Sequence, residues 1–203
     1  ELGDFLGADV PRETMEKLQH LEDLITSENR RQNLIAPSTL SDFWQRHLLD
    51  SAQLLRFGQD SGSWLDIGSG AGLPGLVIAV LRSGPITLVE PRKLRAEFLL
   101  RAADELQLSD VTVEVRKVEA CRGAFDYISA RAVAKLSDLF AMAHHLAHRD
   151  TRWILPKGRS AAIELAEAQR SWQGQFRVEP SVTAPDAAII VGSGVSARHK
   201  GRG

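Results

Sequence analysis

Residues 65–75 read Leu65-Asp66-Ile67-Gly68-Ser69-Gly70-Ala71-Gly72-Leu73-Pro74-Gly75, and this stretch decides the fold. A short apolar segment, Trp64–Ile67, leads into it, and a helical pattern, Leu73–Arg82, leads out of it. Glycines let the chain turn tightly between a strand and a helix and approach a ligand closely. The helix N-terminus behind them offers unpaired N–H groups and positive potential. The stretch therefore predicts a strand–loop–helix unit that binds a cofactor.

The glycines fit two different cofactor patterns. Gly70, Gly72 and Gly75 match G-x-G-x-x-G, the dinucleotide pattern. Gly68, Gly70 and Gly72 match G-x-G-x-G after an acidic residue, Asp66, which is the form that S-adenosylmethionine enzymes use. Asp66 either holds the loop or reaches the ammonium group of the cofactor, and dehydrogenases usually have an apolar residue there. The pattern favours S-adenosylmethionine over NAD.

A second acidic residue lies at the distance that a ribose contact requires. Glu90 ends the second strand, 22 residues after Gly68, where a carboxylate accepts both ribose hydroxyls. This contact serves either cofactor, so Glu90 does not separate them. A non-catalytic nucleotide- or RNA-binding domain stays a third possibility, and so does a loop whose glycines serve packing alone.

Strand and helix patterns alternate from residue 64 onward, which indicates βαβ units and a parallel sheet. We therefore predict an α/β, Rossmann-like methyltransferase fold, with a mostly parallel sheet, a C-terminal antiparallel hairpin and an N-terminal helical segment. The predicted parts are residues 1–60 (helical extension), 61–193 (methyltransferase domain) and 194–203 (basic flexible tail). The predicted strands are Trp64–Ile67, Ile86–Glu90, Val111–Val115, Phe125–Ala130, Arg152–Leu155, Phe176–Val182 and Ala187–Val191, and the predicted helices are Pro11–Arg31, Leu73–Arg82, Lys93–Leu106, Leu136–Leu146 and Ala161–Trp172.

Composition and charge limit the class of protein. The chain has 203 residues, a net charge of −1 and one cysteine, so a disulfide framework and a cysteine zinc site are excluded. Apolar runs are too short to span a bilayer and the first thirty residues do not resemble a signal peptide, so we expect a cytoplasmic protein without membrane contact. Residues 1–28 carry a charge of −6, which leaves +5 on the remainder. That remainder can neutralise phosphates of a nucleic acid locally.

Four further residues or groups of residues are considered as candidates for chemistry. Arg131 follows a central strand, where open α/β sheets bind ligands, so we expect it to act at the site. His47 is expected to have a structural role, with Asp50 as its partner on one helical face. Cys121 is expected to be structural or incidental. His144, His145 and His148 are predicted to lie on the surface of one helix, because no carboxylate pattern completes a metal site.

The sequence resembles the glucose-inhibited division protein B family, the bacterial methyltransferases of guanine N7 in 16S ribosomal RNA. The resemblance runs from about Asn33 to about Val191. It rests on several short motifs, of which the Leu-Pro-Gly extension and the His-Leu-Leu-Asp-Ser block are the most specific. The motifs are Asn33-Leu34, Arg46–Ser51, Leu73-Pro74-Gly75, Phe98-Leu99, Val118-Glu119, Ser129–Ala132 and Lys157-Gly158. The chain departs from the family pattern at Leu94, Lys117 and Pro156.

The resemblance implies S-adenosyl-L-methionine as cofactor and 16S ribosomal RNA, free or in a small-subunit particle, as partner. It implies that Gly68 and Leu73 contact the cofactor, that Val118 and Glu119 lie near its adenosine, and that Arg131 faces the substrate cleft. The cleft wall or RNA surface would include His47, Asp50 and Lys157, and we expect Arg95 and Lys157 to neutralise phosphates. The full cofactor set is Asp66, Gly68, Gly70, Leu73, Glu90, Val118, Glu119 and Arg131. We expect a monomer.

Transfer to guanine N7 needs no general acid or base. N7 carries a lone pair and no proton, so alignment of the reacting atoms is the main task of such an enzyme. We therefore predict no catalytic acid or base and no metal, with Arg131 as a positioning residue. An NAD-dependent oxidoreductase is disfavoured because Tyr127, the only tyrosine, is followed four residues later by Arg131 and not by lysine.

Overall fold

The computed structural model describes residues 10–58 and 61–198. Seven strands form one sheet in the order β3-β2-β1-β4-β5-β7-β6. Strands β1 to β5 pair parallel with one another, whereas β7 pairs antiparallel with both β5 and β6. The predicted parallel sheet with a C-terminal antiparallel hairpin is confirmed. The strands are β1 Trp64–Ile67, β2 Ile86–Val89, β3 Val111–Glu114, β4 Phe125–Ala130, β5 Ala147–Lys157, β6 Trp172–Pro180 and β7 Ala188–Ala197.

In the part of the chain that the structure describes, five helices of seven or more residues cover the two faces of the sheet. They are α1 Arg12–Gln32, α2 Gly75–Leu81, α3 Lys93–Glu105, α4 Leu136–Ala143 and α5 Ala161–Ala168. Apolar residues of α1, α2 and α3 form one buried cluster, and those of α4 and α5 form the other. Strand β1 is buried along its whole length, as expected of a central parallel strand that is covered on both faces.

The N-terminal segment is held against the sheet by α1 and by a buried acid. Leu18, Leu21 and Ile25 are fully buried on one face of α1. Glu28 pairs with Arg101 of α3, and the Gln32 side chain donates to the Leu94 carbonyl at 3.1 Å. The segment that follows is a series of short turns, Pro37–Thr39, Trp44–Leu49, Asp50–Ala52 and Gln53–Arg56, of which Trp44–Leu49 is a π-helix. It brings His47 and Asp50 to the carboxyl edge of the sheet.

The C-terminal part differs from the prediction in the lengths of its elements. The predicted helix to Trp172 ends at Ala168, and β6 begins at Trp172, whose buried ring lies 5.6 Å from that of Phe140. This aromatic packing pulls Trp172 into the sheet layer. Strand β7 continues to Ala197, beyond the predicted end of the domain at residue 193, and residues 199–203 of the predicted tail lie outside the described residues. Within the described residues no helix is long and apolar enough to cross a bilayer.

Candidate active site

The glycine loop is the turn between β1 and α2, and its backbone requires glycine. Gly68, Gly70 and Gly72 have φ values of 66°, 54° and 82°, which other residues rarely adopt. A Cβ at Gly68 would lie 2.7 Å from Val133, and one at Gly72 would collide with Leu76. A Cβ at Gly70 would meet, among the described residues, only Arg95 Nη1 at 3.5 Å and the Gly68 carbonyl at 3.6 Å. The loop is therefore packed on its inner side and open at Gly70.

Asp66 holds this loop from behind. It is fully buried, its Oδ2 accepts from the Gly75 N–H at 3.3 Å, and its Oδ1 accepts from the Ser129 hydroxyl at 2.7 Å. Ser129 in turn accepts from Trp64 Nε1 at 2.9 Å. Burial raises the pKa of Asp66 to about 6, against the opposing effect of these hydrogen bonds. Of the two roles considered for Asp66, the geometry fits the one that fixes the start of α2.

Glu90 joins the glycine loop to the end of β2. Its Oε2 accepts from the Gly70 N–H at 3.1 Å, and its Oε1 accepts from the Arg92 N–H at 2.8 Å. The carboxylate is buried and is joined to the glycine loop through this Gly70 N–H. Because parallel strands end at the same edge, Glu90 and Gly70 lie where an α/β sheet binds its ligand.

The remaining predicted cofactor residues follow neighbouring strands. Val118 is buried and Glu119 is exposed in a single turn, Val118–Ala120, after β3. Leu73 is buried immediately before α2. Their roles toward a cofactor stay predictions.

A cleft of about 740 Å³ opens beside the glycine loop, between the N-terminal turns and the β6–β7 loop. Ala130 pairs with Ile67, so Arg131 follows β4 next to Gly68, which follows β1. One wall of the cleft is the β6–β7 loop, which we define as residues 181–187. Lining residues include Arg46, Asp50, Arg131, Val133, Lys135, Pro156, Thr183 and Ala187.

Arg131 lies between His47 and Asp50 and joins the end of β4 to the N-terminal turns. Its Nη1 lies 3.3 Å from Asp50 Oδ2, and its Nη2 lies 3.4 Å from His47 Nδ1. The expected partnership of His47 with Asp50 is wrong, because the guanidinium occupies the place between them and His47 Nε2 bonds to Thr39 at 2.8 Å. Burial, reinforced by the nearby Arg131 charge, lowers the pKa of His47 to about 4. The imidazole is therefore neutral at physiological pH.

Lys157 has an internal partner. Its Nζ lies 2.9 Å from Glu164 Oε2 and donates to the Ala134 carbonyl at 2.9 Å, and its side chain is 12% exposed. The expectation that Lys157 neutralises phosphate does not fit this arrangement, because its charge is already paired. Arg46 and Lys135 are exposed at the cleft instead.

Sequence reasoning missed Gln53. Its side chain is fully buried, although its amide carries both a hydrogen-bond acceptor and a donor. A glutamine within the apolar run Ala52–Leu55 was the signal that could have identified it. Its contacts cross to the β6–β7 loop, which no local pattern predicts.

Cys121 and the histidines do not form a second site. Burial raises the pKa of the Cys121 thiol to about 12, so it is not a nucleophile at neutral pH. The prediction of one histidine helix is wrong: His144 and His145 lie in a 3-10 turn after α4, and His148 lies in β5, with Nε2 3.2 Å from Asp126. The described residues contain no group of His, Cys, Asp and Glu side chains that could hold a metal.

Comparisons with known proteins agree with this geometry. Residues 14–188 match the family model of GidB, rRNA small subunit methyltransferase G. The chain is 51% identical over 184 residues to a "Ribosomal RNA small subunit methyltransferase G" of Novosphingobium aromaticivorans, covering 88% of this chain and 80% of the relative. It is 50% identical over 198 residues to the protein of the same name in Rhizorhabdus wittichii, covering 95% and 91%.

Solved structures share the fold at low identity. A ribosomal protein L11 methylase from Lactobacillus delbrueckii subsp. bulgaricus superposes with a TM-score of 0.58 at 18% identity, over 74% of this chain and 77% of that one. A SAM-dependent methyltransferase from Aquifex aeolicus gives a TM-score of 0.58 at 12% identity, over 78% and 98%.

Proposed function

The chain belongs to the rRNA small subunit methyltransferase G family, GidB, and on that premise we propose that it transfers a methyl group from S-adenosyl-L-methionine to N7 of a guanine in 16S ribosomal RNA. The observation that carries this proposal is the position of Arg131. It follows β4 beside the glycine loop and lines a cleft of about 740 Å³, which is within the range of about 300–1,000 Å³ for ligand sites.

The residues of the glycine loop fit the proposed cofactor. The open face at Gly70 is a cradle that a Cβ would fill, and the N–H of the same residue donates to the Glu90 carboxylate. We propose that Gly68, Gly70 and Leu73 hold the methionine part, that Glu90 holds the ribose, and that Val118 and Glu119 border the adenine. Asp66 belongs to this set as the residue that fixes the loop. The cofactor supplies an electrophilic methyl group on a sulfonium.

The side chains of the protein then have the task of alignment. N7 has a free lone pair, so no residue has to remove a proton, and neutral His47 is suited to holding Thr39 and Arg131 in place. Arg131 is proposed to position the base, with Asp50 fixing the guanidinium. Small apolar side chains in the cleft, such as Val133 and Ala187, can exclude water from the base.

The partner proposed for this site is structured ribosomal RNA. Arg46, Arg95 and Lys135 are candidate phosphate contacts around the cleft and the loop. Because the free protein carries a net charge of only −1, an assembled small-subunit particle is proposed as a better target than naked fragments. We further propose that the protein acts as a monomer in the cytoplasm, where ribosomes assemble.

The test combines cofactor binding with mapping of the product. Calorimetric titration should give binding of S-adenosylhomocysteine and none of NAD. Incubation with S-adenosylmethionine and small subunits from a strain that lacks the family enzyme should produce 7-methylguanine at one position of the 16S RNA. Binding of NAD alone, or methylation of another atom or another RNA, would refute the proposal.

A further inference from the structure

Gln53 is a fully buried amide whose two ends both contact the β6–β7 loop. Its Oε1 accepts from the Val182 N–H at 3.0 Å, and its Nε2 lies 3.2 Å from the Ser181 hydroxyl and 3.3 Å from the Thr183 hydroxyl. These contacts join residues that are 128 to 130 positions apart in the chain. A buried amide with partners on both atoms fixes a loop more firmly than apolar packing does, because losing either bond leaves a polar group unpaired.

The same amide also reaches the acid that fixes Arg131. Gln53 Nε2 donates to Asp50 Oδ1 at 2.8 Å, and the Thr183 hydroxyl donates to that oxygen at 2.7 Å. The other oxygen of Asp50 faces Arg131 at 3.3 Å. Asp50 therefore bonds both to the β6–β7 loop and to Arg131, and the hydrogen bond from Gln53 fixes the orientation of its carboxylate.

The β6–β7 loop and Arg131, which Asp50 connects, both line the cleft. Arg131 and Lys135 line it from the segment after β4, and Thr183 and Ala187 line it from the β6–β7 loop. A shift of the β6–β7 loop would change the width of the cleft and, through Asp50, the position of the guanidinium. Orientation of reactants is the main source of catalysis in a transfer without proton movement, so such a shift should lower the rate of methyl transfer.

We propose that Gln53 is a positioning residue for methyl transfer. It holds the β6–β7 loop as the substrate-side wall of the cleft and, through Asp50, fixes the position of that wall relative to Arg131. This inference rests on the proposed function, and it adds that the β6–β7 loop forms the wall of the cleft on the side of the target base. Gln53 acts on the substrate half of the site, because its hydrogen bonds within the described residues go to the β6–β7 loop and to Asp50, and it reaches Arg131 through Asp50.

The main variant is Gln53→Leu, which keeps the approximate size of the side chain and removes all of these bonds. We expect single-turnover methyl transfer to unmethylated small subunits, at saturating enzyme and cofactor, to fall by about 10²-fold, the scale of a misplacement of about 1 Å. The dissociation constant for S-adenosylhomocysteine should stay at the wild-type value. A loss confined to the transfer step separates positioning from general destabilisation.

Thr151→Val is the matched control. Thr151 is fully buried, donates to the Phe125 carbonyl at 2.6 Å and accepts from the His148 N–H at 2.7 Å, near the amino end of β5. This variant also loses buried hydrogen bonds, two of them, but outside the cleft. It should keep the wild-type transfer rate even where its melting temperature falls as far as that of Gln53→Leu.

A double-mutant cycle with Thr183→Val tests the route of the effect. Thr183→Val removes the hydroxyl that donates to Asp50, and its loss should combine with that of Gln53→Leu less than additively, because both act through one network. Should Gln53→Leu fail to fold, Thr183→Val alone should lower the transfer rate in the same direction, and a wild-type rate in that variant would overturn the proposal.

The outcomes separate the two proposals. Wild-type protein that methylates no small-subunit RNA would overturn the proposed function and the role of Gln53 together. Active wild-type protein with equal rates in Gln53→Leu and Thr151→Val, or with additive losses in the cycle, would overturn the positioning role alone. Weakened cofactor binding in Gln53→Leu would also overturn it, since the effect would then not be confined to the substrate side.

Discussion

Gly70 and Gly194 form a matched pair for testing where the cofactor lies. Their φ values are 54° and 58°, so alanine at either position has the same backbone strain. A Cβ at Gly194 would meet nothing within 4 Å among the described residues, and a Cβ at Gly70 would make only ordinary contacts, the nearest at 3.5 Å. Neither substitution therefore collides with the described protein. The two positions differ in that Gly70 faces the open side of the glycine loop.

The size of the effects follows from these geometries. A left-handed conformation costs a residue with a Cβ about 1–2 kcal/mol, so both variants should melt roughly 2–8 °C below the wild type. Only Gly70→Ala places a methyl group where the cofactor is proposed to contact the loop. Overpacking of this kind costs about 1–3 kcal/mol, which weakens binding by about 5- to 150-fold. The branched side chain of Gly70→Val should abolish binding.

The assay is calorimetric titration of both alanine variants with S-adenosylhomocysteine, alongside thermal melts. Gly194→Ala should bind as the wild type does, and Gly70→Ala should bind more weakly at a similar melting temperature. Equal affinities in the two variants would refute the reasoning, because the open face of the loop would then not be the cofactor surface. Weak binding in both would show that strain alone, and not the position of the methyl group, decides affinity.

Three further predictions concern the cleft. Arg131→Ala should keep the fold and lose about 10²-fold in single-turnover methyl transfer, with partial recovery in Arg131→Lys, whose ammonium lacks the planar fork; near-normal transfer would make the arginine structural. RNA affinity should fall steeply as the salt concentration rises, and Arg95→Ala should lower the slope of log affinity against log salt by about one unit. Lys157→Met should leave this slope unchanged, because the charge of Lys157 is already paired with Glu164 in the wild type. The pKa of His47 is about 4 in the folded protein and 6.5 in the unfolded chain, so the unfolded chain binds the proton more readily. The contribution of His47 to stability is therefore complete above pH 6.5 and is lost as the pH falls toward 4. Between pH 8 and pH 5 this amounts to about 2 kcal/mol, and urea unfolding of His47→Gln should lack that part of the pH dependence; an identical dependence in both proteins would contradict the assignment.

The cofactor half of the site was predictable because its determinants are local. The glycine pattern, its acidic flank and the strand-to-helix change all lie within eleven residues, 65–75, and Glu90 follows one βα unit later. Parallel pairing of β1 with β2 then brings Glu90 to Gly70 without further information. The sequence did not predict that Gly68 and Gly72 pack against the protein while Gly70 stays open, since this difference depends on contacts with Val133 and Leu76.

The substrate half was not predictable to the same extent because its contacts span large separations. Arg131 meets Asp50 across 81 residues, and Gln53 meets Thr183 across 130. Helical spacing pairs His47 with Asp50, yet a guanidinium from a distant strand lies between them. Lys157 looked like a phosphate contact because its charge is visible in the sequence and its partner, on the following helix, is not recognisable as one.

This division of the site has a consequence for its chemistry. Transfer to N7 has no proton to move, so the protein lowers the barrier mainly by fixing two ligands relative to each other. One ligand is proposed to be held by a loop whose geometry is encoded locally and braced by Asp66. The other is proposed to lie in a cleft whose parts are joined through Asp50, which bonds to Arg131, Gln53 and Thr183. Substitutions in the first group should therefore change cofactor affinity, whereas substitutions in the second should change the rate at saturating cofactor. Their separation follows from the fold, because β1 and β4 carry the two groups side by side at the same edge of the sheet.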